Sequence, residues 1–431
     1  DPKSNASGWW MLDGKIAGLN QWRAQKKHDY NTEIDGIKVL GKDKITFKLV
    51  KPFPQFLYTF AMPISYIVSE KIVNCYKDET LNHPIGTGAY YLKSFIPDSK
   101  YHYFRYEEYV DKTGGGLPKI DEVISHVMVE DQPGWLKVMK GQIDFLELKN
   151  THYYSAVDEK HQLKAELANL KMSLHQNAQI DVTYNGFNLS DPALKNKKLR
   201  QALSLSIDRK KYNDLFYKGQ GVVAQGPIPP KIKGYEEDFK NPYTVYDVER
   251  AKKMIKEEGL VGKKLTFEIL SDTQSRQRAE FLAAQFEKIG IKLNISINTW
   301  PELVKKTNNA SAQIFDLSWY ADYPDAENFL QLFYGPNKSP GSNNANYQNP
   351  EFDKLFEKAT VMQDSPERSQ LYAQMNHILA EDTPWIFGFH RMNFVLTHAW
   401  LKNYQVSNFF FGYEKYLDID LEQKSKILPR L

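Results

Sequence analysis

Asp322 and Asp325 stand three residues apart across Pro324, in the run LSWYADYPDAENFL at positions 317–330. Two carboxylates beside Trp319 have the residue types of a glycoside hydrolase, two acids with an indole as sugar platform. Acids flanking a proline turn need not converge on one bond, however, and such residues often serve as caps or turns. A metal centre has less to build on. The ten histidines are scattered without HxxxH or HExxH spacing, and Cys75 is the only cysteine. No metal and no cofactor is therefore expected. GQGVVA (219–224) fits a loose GxGxxA pattern, but it follows a helical segment and runs into GPIPP. A dinucleotide fingerprint needs a strand before it and a helix after it. What remains is binding. An unpaired carboxylate is a natural partner for a ligand ammonium, and the backbone of Trp319, Tyr320 and Ala321 can offer a sheet edge to an extended peptide. Together they predict affinity for a free amino terminus with little sequence selectivity. Asp325 is the candidate cap of the helix through Phe329 and Leu330.

The elements that would position these groups follow from periodicity. IDGIKVL and KITFKLV form a hairpin around Gly-Lys-Asp. PIGTGAYYL (84–92) is a glycine turn leading into a strand. YHYFRYEEYV (101–110) and IDEVISHVMV alternate as strands do, 135–140 is a short helix, and GQIDFLEL is a short strand. Beyond about residue 180 strands and helices alternate. DPALKNKKLRQALSLSIDRKKYNDLFYKG holds a helix with Leu199, Ala202, Leu203 and Leu205 on its buried side. Asp247 caps VERAKKMIKEEG, which Gly259 stops. LTFEIL, the helix RQRAEFLAAQFEKIG, IKLNISIN, the helix around ELVKK and IFDLSWY then give strand–helix–strand units, and hence parallel pairing. Helices near 350–362 and 366–381 follow, and the last forty residues read as aromatic strand text. This order puts Asp322 at the carboxyl end of a parallel strand, where open α/β sheets bind ligands.

The totals narrow the function. At 431 residues the chain is too long for one ordinary domain. A net charge of only +3, with no long Lys or Arg run, argues against a nucleic-acid partner. One cysteine forbids an internal disulfide. No apolar run approaches the roughly 20 residues that cross a bilayer.

Six strings, in order, resemble the peptide-type solute-binding proteins of bacterial ABC importers, family 5, over nearly all of the chain. DPKSNASGWW looks like "DP.t.sp", PIGTGAYYL like "p.GTGpY", and LRQALSLSIDR like "vRqAl..aiDr". YDVERAKKMIKEEG resembles "yd...Ak.lL.eaG", SWYADYPDAENFLQLFY resembles "W.aDYpdp.nfl..lf", and ANYQNPEFDKLFEKA resembles "..y.np.yD.L...a".

The resemblance implies a two-lobed α/β periplasmic-binding-protein fold, type II-like, with part of a third small domain. Residues 1–68 would be the remainder of the small domain, 69–178 the central part of lobe I, 179–390 lobe II, and 391–431 the return to lobe I. It implies no catalysis, but extracytoplasmic capture of a peptide between lobes and its delivery to a membrane permease, from the periplasm or from a membrane-anchored lipoprotein. An oligosaccharide-binding member of the same family, and a carbohydrate-active hydrolase using Asp322 and Asp325, are the alternatives. In peptide-binding members the aspartate of "W.aDY" pairs with the ligand's α-amino group, a role that falls to Asp322, with Trp319, Tyr320 and Ala321 beside the ligand. Tyr184 and Asn185 make a second wall. Trp9 and Trp10 belong to the small-domain segment over the cleft, and Lys218 is a partner for a ligand carboxylate. Oligopeptide binders place an arginine just before the "W.aDY" strand; Asp316 takes that position. Family members also begin well before "DP.t.sp", which implies a preceding segment in the same protein or on a separate chain.

Overall fold

A computed structural model describes residues 7–128, 130–406, 408–409 and 412–431. The first six residues of the DPKSNASGWW string lie outside them. The chain divides into two compact units, one of residues 1–66 with 180–391, the other of 67–179 with 392–431.

The first unit is built on a five-stranded mixed sheet. Its strands are β1 (Asp181–Phe187), β2 (Lys264–Leu270), β3 (Lys292–Asn298), β4 (Ile314–Tyr320) and β5 (Trp385–Phe387), in the order β3-β2-β4-β1-β5. β2 runs parallel to β3 and β4, as the alternation of strands and helices predicts. β1 is antiparallel to both of its neighbours. The helices are α1 (Lys197–Leu205), α2 (Arg209–Phe216), α3 (Val248–Glu257), α4 (Thr273–Glu287), α5 (Trp300–Asn308), α6 (Glu327–Leu330), α7 (Pro350–Thr360) and α8 (Pro366–Asp382).

Strand alternation divides the unit into two cores. Phe187, Phe267, Ile269 and Ile314 pack with residues of α1, α3 and α4, such as Leu203, Ile255 and Leu282. Val182, Tyr184 and Phe315 pack with Phe329, Phe352, Met375 and Leu379 of α6, α7 and α8. Helices thus cover both sheet faces, and the sheet is buried on both sides. Asp247 accepts a hydrogen bond from the Arg250 N–H, and Gly259 (φ 66°) follows the helix end, both as the sequence indicates.

The segment 191–219 forms two helices where one is expected. The Ser206 hydroxyl donates back to the Leu203 carbonyl (2.8 Å), and the Asp208 carboxylate caps α2 at the Lys211 N–H. Arg209, 5% exposed, then ties the break to the sheet. Its guanidinium donates to the carbonyls of Ser204 (2.9 Å), Thr244 (3.2 Å) and Phe387 (3.3 Å).

Residues 37–39 and 45–47 of this unit form the expected hairpin, and Ile16, Leu19, Phe53 and Phe56 make a small core beside it.

The second unit has two antiparallel three-stranded sheets. One joins 90–96, 100–105 and 122–126; the other joins 145–147, 392–398 and 172–178. Val138, Tyr153, Ala156 and Leu396 lie in its core. The strand expected over 101–110 stops at Arg105, because the Tyr109 N–H turns back to the Tyr106 carbonyl (3.0 Å). The last forty residues are not all strand. Leu421–Ile427 is a helix capped by Asp420, whose carboxylate accepts from the Gln423 N–H.

Arg209→Met removes the guanidinium donors from those three carbonyls. A loss of about 3 kcal/mol or more in unfolding free energy is expected, measurable by urea denaturation.

Candidate functional site

β4 is held unequally by its neighbours. Seven residues, Ile314 to Tyr320, pair with β1, but only Ile314 and Phe315 pair with β2. From Asp316 to Tyr320 the β2-side edge has no strand partner among the described residues, and Ser318 and Tyr320 are exposed. An open edge of this kind can take an added extended strand. Asp322 lies just beyond its end.

One buried amide sets Asp322. Asn328, 0% exposed in α6, accepts at Oδ1 from the Asp322 N–H (3.0 Å) and from the Trp319 Nε1–H (2.9 Å). Its Nδ2 donates to Asp322 Oδ2 (3.2 Å). No Lys, Arg or His pairs with this carboxylate among the described residues. Burial pushes its pKa above the ordinary value, only partly offset by the Asn328 hydrogen bond. The result is an anionic group held in place, short of solvent and without a counter-charge.

Asp325 is the opposite case. Arg368 grips it through both terminal nitrogens (2.7 and 3.1 Å), the Tyr372 hydroxyl donates at 3.0 Å and Gln55 at 3.3 Å. Its Oδ1 also accepts from the Glu327 N–H at 2.9 Å, so it does serve the turn into α6. A carboxylate committed to a buried arginine cannot share a bond-breaking proton with Asp322. Nearby, burial pushes the Glu327 carboxyl up, the Lys15 ammonium offsetting part of the rise, and burial likewise pushes the Lys15 ammonium down.

The structure sorts the remaining candidates by position. Trp10 meets the Trp319 ring edge-on (5.9 Å) and stacks on Tyr323 (6.4 Å), which also stacks with Tyr58 (5.5 Å). Trp9 instead carries the Arg23 guanidinium over its ring (4.1 Å) and packs on the Ile16 core. The Ala321 N–H donates to the Ile180 carbonyl (2.9 Å), and the Tyr320 side chain is 52% exposed. Tyr184 presents no surface. It is 4% exposed and stacks on Trp385 at 3.4 Å, because strand alternation turns it into the core under α6–α8. Asn185 points to the other face and donates to Asp316 Oδ1 (3.0 Å). Lys218 sits in the turn after α2 with a left-handed φ of 56°. Asp316, at the position of the absent arginine, pairs with an arginine from elsewhere: Arg278 of α4, at 3.2 Å.

Sequence reasoning did not single out Asn328, Arg368, Arg278 or Arg391. Asn328 stands at the "n" of the "dp.nfl" string, so a signal for it was present. The arginines reach their partners across tens or hundreds of residues, and no local spacing marks them.

The sheet covered by helices on both faces belongs to a fold shared with solved two-lobed α/β binding proteins. The chain belongs to the bacterial extracellular solute-binding proteins, family 5, whose middle region matches residues 3–341. It is 26% identical over 406 residues to heme-binding protein A of Haemophilus influenzae, covering 91% of this chain and 70% of that one. It is 26% identical over 390 residues to the dipeptide-binding protein of Escherichia coli, covering 86% and 69%. The solved structure of a periplasmic binding protein, DppA, from Helicobacter pylori in complex with the peptide STSA superposes with a TM-score of 0.78. The identity is 24%, and the match covers 90% of this chain and 74% of that one. Members of this family are solute-binding proteins rather than enzymes, and they are extracellular. No helix of the described residues is long and apolar enough to cross a membrane.

The two acids should part company on mutation. Asp325→Ala leaves Arg368 buried and uncompensated and should cost about 3–5 kcal/mol in chemical denaturation. Asp322→Asn should leave stability unchanged or raise it slightly at neutral pH. The raised folded-state pKa means that ionised Asp322 disfavours the fold above that pKa, a cost that disappears as pH falls through it.

Proposed function

We propose that the chain is the extracytoplasmic solute-binding component of an ABC importer and that it holds a short peptide by its amino end. The observation that carries this reading is Asp322: an oriented, part-buried carboxylate with no cation of its own, at the end of a strand whose edge is open. The ligand ammonium supplies the missing charge, and the ligand backbone pairs with the edge of β4 between Asp316 and Tyr320. Main-chain pairing ignores side chains, so one site accepts many sequences. The relatives support the same ligand class, since one is named a dipeptide-binding protein and a similar structure holds the peptide STSA. Residues 67–179 with 392–431 then form lobe I, 180–391 form lobe II, and 1–66 are the rest of a small domain that brings Trp10 against Trp319. Delivery is to a membrane permease from the outer side of the cytoplasmic membrane. Neither sugar alternative finds support at the site. The Trp319 N–H is spent on Asn328 and its ring meets Trp10, while Asp325 is spent on Arg368.

Isothermal titration with L-alanyl-L-alanine and its N-acetyl derivative tests the anchor. Asp322→Ala should weaken the free-amine peptide roughly 10- to 100-fold and leave the acetylated one nearly unchanged. Equal losses on both would remove Asp322 from the site. Affinity for the free-amine peptide should also fall as pH drops through the raised Asp322 pKa, beginning above the usual carboxylate range. That fall should be missing in Asp322→Asn.

A further inference from the structure

The polar face of β4 and β1 is served by two arginines, and only one of them is spent. The Arg278 Nη2 donates to Ser275 Oγ (2.8 Å) and to Asp316 Oδ2 (3.2 Å). Arg391 binds Asp181, a residue with 0% exposure, through its backbone N–H (2.9 Å to Oδ1) and through Nε to Oδ2. The Arg391 Nη2 is buried and has no hydrogen-bond partner among the described residues. A guanidinium nitrogen left unpaired in a protein interior is uncommon, and it asks for a partner that the folded chain does not supply.

Its surroundings say what partner fits. The guanidinium reaches across β1 and lies over the Tyr320 ring, 4.8 Å from the centroid. Tyr320 is itself 52% exposed, so the ring against the guanidinium stands at the surface. Asp181 neutralises one side of the guanidinium and fixes its plane. The neighbouring His390 donates from Nδ1 to the Asp181 carbonyl (2.6 Å), and burial lowers its pKa, so the ring adds no second cation. Asp181 is opposite Tyr320 in the register, and Asp322 is two residues farther along. Two residues of extended chain reach at most about 7 Å. A dipeptide separates its amine from its carboxylate by about 7 Å.

We propose that Arg391 is a second charged contact of the bound peptide and takes a ligand carboxylate on Nη2 as Tyr320 swings away. The carboxylate is the C-terminus of a dipeptide or an acidic side chain at its second position. This inference rests on the peptide reading and adds to it. Asp322 selects for an amine at one end, and Arg391 selects for a carboxylate about one dipeptide away. It also gives the chain a basic group for the ligand's acid although Asp316 occupies the position where oligopeptide binders carry theirs.

Isothermal titration with three probes tests it: L-alanyl-L-alanine, L-alanyl-L-alaninamide, and L-alanyl-L-glutamic acid α-amide. Arg391→Gln should weaken a carboxylate-bearing probe roughly 10- to 100-fold and change the alaninamide less than about threefold. A loss confined to alanyl-alanine assigns the contact to the C-terminus; a loss confined to the glutamyl amide assigns it to an acidic side chain. Arg391→Gln alone leaves Asp181 buried and unpaired, so Asp181→Asn/Arg391→Gln, which keeps a neutral pair, is measured beside it and should lose the same discrimination. Equal changes across all three probes in both variants would reduce Arg391 to a support for Asp181 and overturn the proposal. If the unsubstituted protein binds none of the probes, the peptide reading falls, and this inference with it.

Discussion

β4 is a strand with two different sides. Along one it is paired to β1 over its whole length; along the other it is paired to β2 for two residues and then left open. Most of the site follows from that inequality. The long antiparallel ladder fixes the register, so every second residue of β4 is committed to a face. Ile314 and Phe315 are buried on opposite faces, each in its own core. Beyond them the side chains of Asp316, Ser318 and Tyr320 share a face with Asn185, Thr183 and Asp181 of β1, their register partners. A polar strip therefore lies beside an open backbone edge, with both cores behind it to keep it rigid.

The electrostatics of the two aspartates show how one short stretch can carry unlike roles. Asp325 has its arginine and three further donors, counting the backbone N–H, and its charge is consumed in holding α6 to α8 and to Gln55. Asp322 has an amide and little water, and its charge is left over. Burial acts on both. What separates them is whether the chain supplies a cation, and only the acid it leaves alone has something to offer a ligand.

Much of this was legible in the sequence, for reasons that differ by element. The strand–helix alternation from 264 to 320 is periodic over long stretches, with Asp and Gly at the expected ends, and it folds as read. The 191–219 segment misled because Ser206 and Asp208 favour backbone contacts that an apolar pattern does not register. The C-terminal segment misled because its aromatics suggest strand, whereas Asp420 caps a helix. Asp322 could be proposed from its position at a strand end and from the resemblance, and the structure does place it just beyond the end of β4. Tyr184 was not correctly placed, because a one-residue step in a strand reverses the face, so Tyr184 and Asn185 cannot line one wall together. The arginines were invisible. Arg278 meets Asp316 across 38 residues, Arg368 meets Asp325 across 43, and Arg391 meets Asp181 across 210. Pairing at such distances belongs to the fold as a whole.

Asn328 permits only one orientation of its amide. Two N–H groups point at Oδ1, so exchanging oxygen and nitrogen would set donors against donors. The nitrogen is thereby forced onto Asp322. Were that nitrogen an oxygen, as in aspartate, two carboxyls would face one another at about the present 3.2 Å. Such a pair holds one shared proton to higher pH than a lone carboxyl would, because neighbouring carboxylates resist double ionisation. The chemical distance between a receptor that holds an ammonium and a proton-sharing dyad is, at this position, a single NH₂ group.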